Sequence, residues 1–352
     1  MQIVKKHFKK YFLFILALIT LLVLFLFKSY PLLAERIYSN GIYPVVAAFL
    51  SSVSRLFPFS LDDFFYLGLI LLFCLGIVLL VLRRISLGSF LFRIAQLLAM
   101  VFVLFYWSWG FNYYRADVHT RMELHKNLPD TEVFIEVFED IIEQANNSYV
   151  DYCILNHDEL DSCIEASFSQ ISDELKLKYS QGYRRVKEIT LSSWFAKATI
   201  LGYYGPFFNE VHINSYLTGL DVPVVMAHEK AHQFGITGEA EASFYGWLVC
   251  VKSNQNFVRY SGWMYALDYF LFESRDLPNR KELIEKIRPE VIEDLKYRYQ
   301  YWHNWRNEKM DRVARKMNDV YLKTNGVESG IDDYGDMVQL IVDYQLKIHR
   351  EK

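Results

Sequence analysis

His228-Glu229-Lys230-Ala231-His232, followed by Gly235 and then Glu239, is the stretch that decides this chain. It is the H-E-x-x-H pattern of zinc hydrolases. On a helix the two histidines stand four apart, so both imidazoles project from one face and can meet one metal ion. Glu229 sits beside the first histidine, where its carboxylate can take the proton of a metal-activated water. The flanks agree with a helix. Asp221-Val222-Pro223 is a start signal, with an Asp cap and a proline in the first turn. Val224 to Ala227 give the helix an apolar back, and Gly235 is a natural C-cap.

A zinc site needs a third ligand and an open position. The H-x-x-G-x-x-H continuation would place that ligand at Gly238, which has no side chain. Glu239 is next, at the start of a second helix, and Glu241 competes with it. Glu239-Ala240-Glu241-Ala242-Ser243 resembles the E-x-E-A-D stretch of membrane-bound gluzincin peptidases, whose first glutamate is the ligand. By position that is Glu239. Ser243 stands where those proteins have Asp, which bears on how a ligand histidine is held. His119, His125, His157, His212 and His303 stand alone in sequence and are left out of the ligand set.

Outward from the motif, composition divides the chain. Residues 1–111 are strongly apolar and form an expected membrane anchor, with spans at about 11–27, 64–82 and 90–109. Residues 112–352 are mixed and charged, as expected of a separate domain. Lys5, Lys6, Lys9 and Lys10 before the first span and Arg83 and Arg84 after the second read as cytoplasmic. Three spans then place the second domain outside the cytoplasm. The net charge of −3 gives no sign of nucleic-acid binding. Cys74 and Cys250 read as packed apolar residues. Cys153 and Cys163, on an oxidising side, are a candidate disulfide, and no C-x-x-C spacing is present.

Within the second domain, residues 131–146 and 159–180 read as helices. Val186–Leu191, Thr199–Tyr204 and Glu210–Asn214 read as strands of a small sheet ahead of the motif. An edge strand of such a sheet can hold an extended peptide. The third strand or its neighbour is the expected edge, with Glu210 or Asn214 near the cleft. Residues 289–323 read as one or two long helices closed by Asn325-Gly326, and 332–349 as a last one. Tyr321 and Tyr334 are candidates to stabilise an oxyanion.

The chain resembles an uncharacterised family of bacterial membrane proteins, domain of unknown function 3810, with a gluzincin-like site. The resemblance rests on Pro58–Leu61, Trp109–Arg115, Gly205-Pro206, Glu210, Asn214, the motif with Gly235, Glu239 and Glu241–Phe244, and Tyr321–Lys323 with Asn325-Gly326. It implies three spans, an outward metallopeptidase-like domain and zinc, but no substrate. The expectation is therefore an α-helical anchor plus an α+β zincin-like domain of gluzincin type, mostly helical with a small sheet. The expected activity is a zinc-dependent metallopeptidase with Zn2+ on His228, His232 and Glu239 and with Glu229 catalytic. The expected partners are the lipid bilayer and a protein or peptide substrate, including cell-wall peptide. A hydrolase of cell-wall amides and a non-catalytic membrane sensor or assembly module with structural zinc are the competing readings. Intramembrane proteolysis is disfavoured, because Lys230 and Gln233 make the motif helix polar.

Overall fold

The computed structural model describes residues 2–128, 130–151, 156–179, 184–325 and 336–351, with side chains from Lys10 onward. Among these, the protein is mostly helical with one three-stranded sheet. Three helices are long and apolar enough to cross a membrane, which supports membrane association. These are α1 (Gln2–Ser29, apolar from Lys10), α3 (Leu61–Val81) and α4 (Leu87–Ser108). Their surfaces are left apolar, as lipid contact requires. The α1 and α4 pair is stitched by Phe14 against Phe92 at 5.7 Å and by a Trp107 indole bond to the Thr20 hydroxyl at 3.0 Å. Ser60 and Ser86 cap α3 and α4, each accepting a backbone N–H of the first turn. Cys74 faces outward on α3 rather than packing inside, because that helix surface has no protein neighbour there; Cys250 is buried as expected.

The link between the first two spans is built into the rest of the molecule. It runs through a π-helical stretch, Glu35–Ile42, into helix α2 (Tyr43–Ser54). The Tyr38 hydroxyl donates to the Tyr106 and Trp107 carbonyls at the end of α4. The Tyr43 hydroxyl donates to the Gln233 carbonyl at 2.7 Å, and Ser51 to the Asn209 side chain at 2.7 Å. Arg115 pairs with Glu35 at 2.7 Å and also donates to the Gly235 carbonyl. These bonds tie the ends of the spans to the segment that carries the motif.

The sheet order is β1 (Val186–Glu188), β3 (Glu210–Ile213), β2 (Gly202–Gly205). β1 runs parallel to β3 and β2 antiparallel to it. The third strand is therefore central, which corrects its expected place at an edge. Glu210 and Asn214 do not line a cleft either. Glu210 is buried among Lys187, Ser60 and the Asp62 N–H, and Asn214 donates to the Ser192 and Ile200 carbonyls. Both are spent on holding neighbouring backbone. Thr199 adopts a left-handed turn, φ +52°, so the second strand starts later than alternation predicts.

Helix α5 (Thr131–Ser148) and α6 (His157–Ile171) precede the sheet. α6 is shorter than the apolar pattern predicts, and a turn with Lys176 at φ +52° follows it. After the sheet come α7 (Asp221–Gln233), α8 (Glu239–Val251) and α9 (Asn256–Glu273), then α10 (Pro289–Trp305), α11 (Glu308–Thr324) and α12 (Asp336–Glu351). The 289–323 pattern resolves into two helices because Asn307 caps the second, accepting from the Lys309 and Met310 N–H groups. α8 is the central helix: Phe244, Trp247 and Leu248 are buried beneath α7, α9 and α12. Burial of such side chains contributes about 1.5–3 kcal/mol each, enough to fix the α7–α8 pair that carries the motif. Cys153, Gly326 and Tyr334 lie outside the described residues.

Candidate metal centre

α7 presents the motif and α8 closes it. The helix begins at Asp221, whose carboxylate does not cap its own backbone as the sequence suggests. It is drawn instead to Arg298 and to the Trp302 indole at 2.8 Å, with the Thr218 hydroxyl beside it. This cross-link to α10 outcompetes the local bond. At the other end Gly235 sits at φ +86°, and its N–H bonds the His232 carbonyl while that of Ile236 bonds the Ala231 carbonyl. That pair of bonds is the Schellman stop. A β-carbon on Gly235 would crowd Tyr43 at 2.9 Å and Asn112 at 3.0 Å. The chain thus reverses immediately after His232, and Glu239 opens α8 facing back across α7.

The result is a triangle of donors. His228 Nε2 and His232 Nε2 lie 3.2 Å apart, and the Glu239 carboxylate is 3.3 Å from the first and 3.7 Å from the second. Ligand atoms about 2.0–2.1 Å from a tetrahedral zinc stand about 3.3–3.4 Å apart, so the three edges have the dimensions of one face of such a site. The donor chemistry, two imidazoles and a carboxylate, also fits. Among the described residues these three form the group able to hold a metal ion.

Each imidazole is oriented through its other nitrogen. His232 Nδ1 is 2.7 Å from the Ile236 carbonyl, which fixes the proton there and leaves Nε2 as the donor to the centre. His228 Nδ1 is 3.2 Å from the Ser243 hydroxyl, which accepts from Tyr265 at 3.1 Å; Tyr265 in turn lies 3.2 Å from Tyr269. Serine therefore reaches the place that an aspartate would fill. Gly246 permits the close approach of α8 to α7, since a β-carbon there would lie 3.0 Å from the His228 N.

Glu241 is elsewhere. It pairs with the buried Arg121, which also donates to the Tyr245 hydroxyl and the Ala116 carbonyl. Of the two candidate carboxylates, the fold brings Glu239 to the histidines and gives Glu241 to that pair. Charge within the triangle is strongly coupled. Burial would raise the Glu239 carboxyl, but hydrogen bonds from His228 and His232 outweigh it and hold it far below the usual range. Burial would lower His232, yet Glu239 lifts it to about 9. The two shifts have one cause, the close approach of the carboxylate and the imidazole inside the protein.

Glu229 lies beside the triangle and is buried; burial pushes its carboxyl up against the pull of His228 and His232. Its side chain rests on Gly202 of the edge strand β2, where a β-carbon would stand 2.7 Å from Oε1. The edge strand beside the motif is thus β2, the neighbour of the strand the sequence points to. Behind α7, Lys230 is paired with Asp161 at 2.6 Å and Glu165 at 2.7 Å, which accounts for a lysine inside the motif.

Tyr321 of α11 approaches from the far wall. Its ring is 6.4 Å from that of Tyr113, and burial, with the Glu239 charge adding to it, pushes both hydroxyls up. Tyr113 comes into this neighbourhood beside Trp109 and Tyr321, a placement that the sequence does not single out. Trp109 donates to the His232 carbonyl at 2.9 Å with its ring edge-on to the imidazole. His212 is fully buried, stacked on Tyr203 at 4.3 Å and 3.5 Å from Glu210, away from the triangle. His119 pairs with Asp343.

The sequence profile of a family described as "Protein of unknown function (DUF3810)" matches residues 38–342. That span begins inside the π-helical stretch and includes the whole triangle. No curated protein and no solved structure matches the chain.

Proposed function

The chain belongs to that family of unknown function, and from its site we propose that it is a membrane-anchored zinc metallopeptidase of zincin-like, gluzincin-type fold. Its catalytic domain faces outward from the cytoplasm, and its substrate is a protein or peptide, cell-wall peptide included. The observation that carries the reading is the convergence of His228, His232 and Glu239 with Glu229 alongside. Zinc at this triangle supplies an acidified water and a polarised carbonyl. The chain's own residues do the rest. Ile236 and Ser243 hold the two imidazoles so that both Nε2 atoms stay aimed at the centre. The Glu229 carboxylate takes the proton of the attacking water and hands it to the amide nitrogen as the C–N bond breaks. β2 offers its free edge to an extended peptide, with Gly202 leaving room beside Glu229. Tyr321, with the Tyr113 ring beside it, is the candidate hydroxyl donor to the developing oxyanion. The outward orientation is supported by the lysines in the first turns of α1 and the arginine pair between α3 and α4.

The test is Glu229→Gln in the full chain. Zinc content should stay as in wild type, while hydrolysis of a peptide library falls by about 10²–10⁴-fold. Unchanged hydrolysis with zinc still bound would overturn the assignment.

A further inference from the structure

Helix α11 carries a stripe of apolar side chains turned away from the protein. Val313, Met317 and Val320 recur at helical spacing on one face, and each is more than half exposed. Exposed Lys309, Arg312 and Lys316 flank that stripe along one side. The opposite face, with Asp311 and Leu322, is buried against the body of the protein. A helix with this division is built to lie between water and an apolar phase.

Its two ends show where that phase is. At the start, the Asn307 N–H donates to the Lys197 carbonyl at 2.8 Å, and Asp311 bonds Thr199, both beside the short helix Ser192–Lys197. Just ahead of that short helix, Thr190 bonds Asp63 in the first turn of the apolar helix α3, and Tyr203 does so at 2.9 Å. At its other end, Tyr321 meets Tyr113, five residues beyond the last residue of α4. α3 and α4 form a hairpin, so the start of one and the end of the other lie at the same side of a membrane. α11, 17 residues or about 25 Å long, bridges those two places and therefore runs along that surface. Leu191 and Trp194 are also exposed there, continuing the apolar band. Tryptophan at this level is the usual occupant of a membrane interface.

We propose that α11 is an in-plane interfacial helix, seated by Val313, Met317 and Val320 on the bilayer that holds the spans, with Lys309, Arg312 and Lys316 on anionic phospholipid headgroups. So placed, the helix brings Tyr321 next to the lipid surface. The inference rests on α1, α3 and α4 lying in a membrane, not on the chemistry of the metal centre.

The experiment is photo-cross-linking of the full chain in phosphatidylcholine nanodiscs with and without phosphatidylglycerol. p-Benzoylphenylalanine replaces Val313, Met317 or, on the polar face, Glu308; Leu72 in α3 serves as the lipid-facing control. Phospholipid adducts are expected at Val313 and Met317 but not at Glu308. Their yield should rise several-fold with phosphatidylglycerol, the direction set by headgroup attraction for basic side chains. The rise should vanish in the triple variant Lys309→Glu, Arg312→Glu, Lys316→Glu. Lipid adducts at Leu72 with none at α11 would overturn the proposal. So would cross-links from α11 to a second copy or another polypeptide in place of lipid, or a yield indifferent to headgroup charge.

Discussion

Ser243→Ala tests how the centre is held. The hydroxyl is fully buried, 3.2 Å from His228 Nδ1 and 3.1 Å from the Tyr265 hydroxyl. Removing it leaves the His228 imidazole N–H without its partner, while Tyr265 keeps the Tyr269 hydroxyl at 3.2 Å. It also frees the His228 ring to turn, because among the described residues the Ser243 hydroxyl is the oxygen bonded to that nitrogen. Loss of a partner of this kind weakens metal affinity by about 10–100-fold. That corresponds to about 1.4–2.7 kcal/mol, within the range expected for stranding a buried donor. Competition against a chromophoric chelator, with the full chain in detergent, reads the affinity directly. Ser243→Asp should restore or exceed wild-type affinity, since a carboxylate accepts from both His228 and Tyr265. Wild-type affinity in a folded Ser243→Ala chain would refute the claim that this hydroxyl orients the ligand.

Three further outcomes follow from the same geometry. Glu241→Gln should cost about 3–5 kcal/mol of stability by stranding the buried Arg121, with zinc content unchanged; thermal unfolding and metal analysis on one sample separate the two. Gly202→Val should keep zinc yet abolish hydrolysis, because the new side chain meets Glu229 Oε1; peptide turnover at wild-type rate would contradict that contact. Burial would raise Glu210, but bonds from His212 and Lys187 among others outweigh it and hold its carboxyl at about 2. A group depressed in the folded state stabilises above its unfolded value and loses that contribution as pH falls through the folded one. The wild-type advantage over Glu210→Gln should therefore be complete at neutral pH and shrink as pH drops from about 4.5 towards 2, read as the difference in melting temperature.

What the sequence shows and what it hides divide along physical lines. The motif helix, its glycine stop and the apolar helices are local, each fixed by spacing within a few residues. The rivalry of Glu239 and Glu241 is different. Two positions apart on a helix, their side chains diverge by about 200°, so one at most faces the histidines. Which one depends on the roll of α8 against α7, set by Gly246, Phe244 and Arg121. The central place of β3 is likewise non-local, because alternation marks a strand but not its neighbours. The hidden part is the link between the first two spans. Its hold on the site runs through single long-range bonds, Tyr43 to Gln233 and Ser51 to Asn209, which no periodicity announces.

The central claim is that His228, His232 and Glu239, and not Glu241, hold zinc. Zinc per chain, measured by plasma mass spectrometry on the full protein and on Glu239→Gln and Glu241→Gln, tests it most directly. The account predicts about one zinc in wild type and in Glu241→Gln, with clear loss in Glu239→Gln. A folded wild-type chain without zinc, or loss in Glu241→Gln alone, would contradict it.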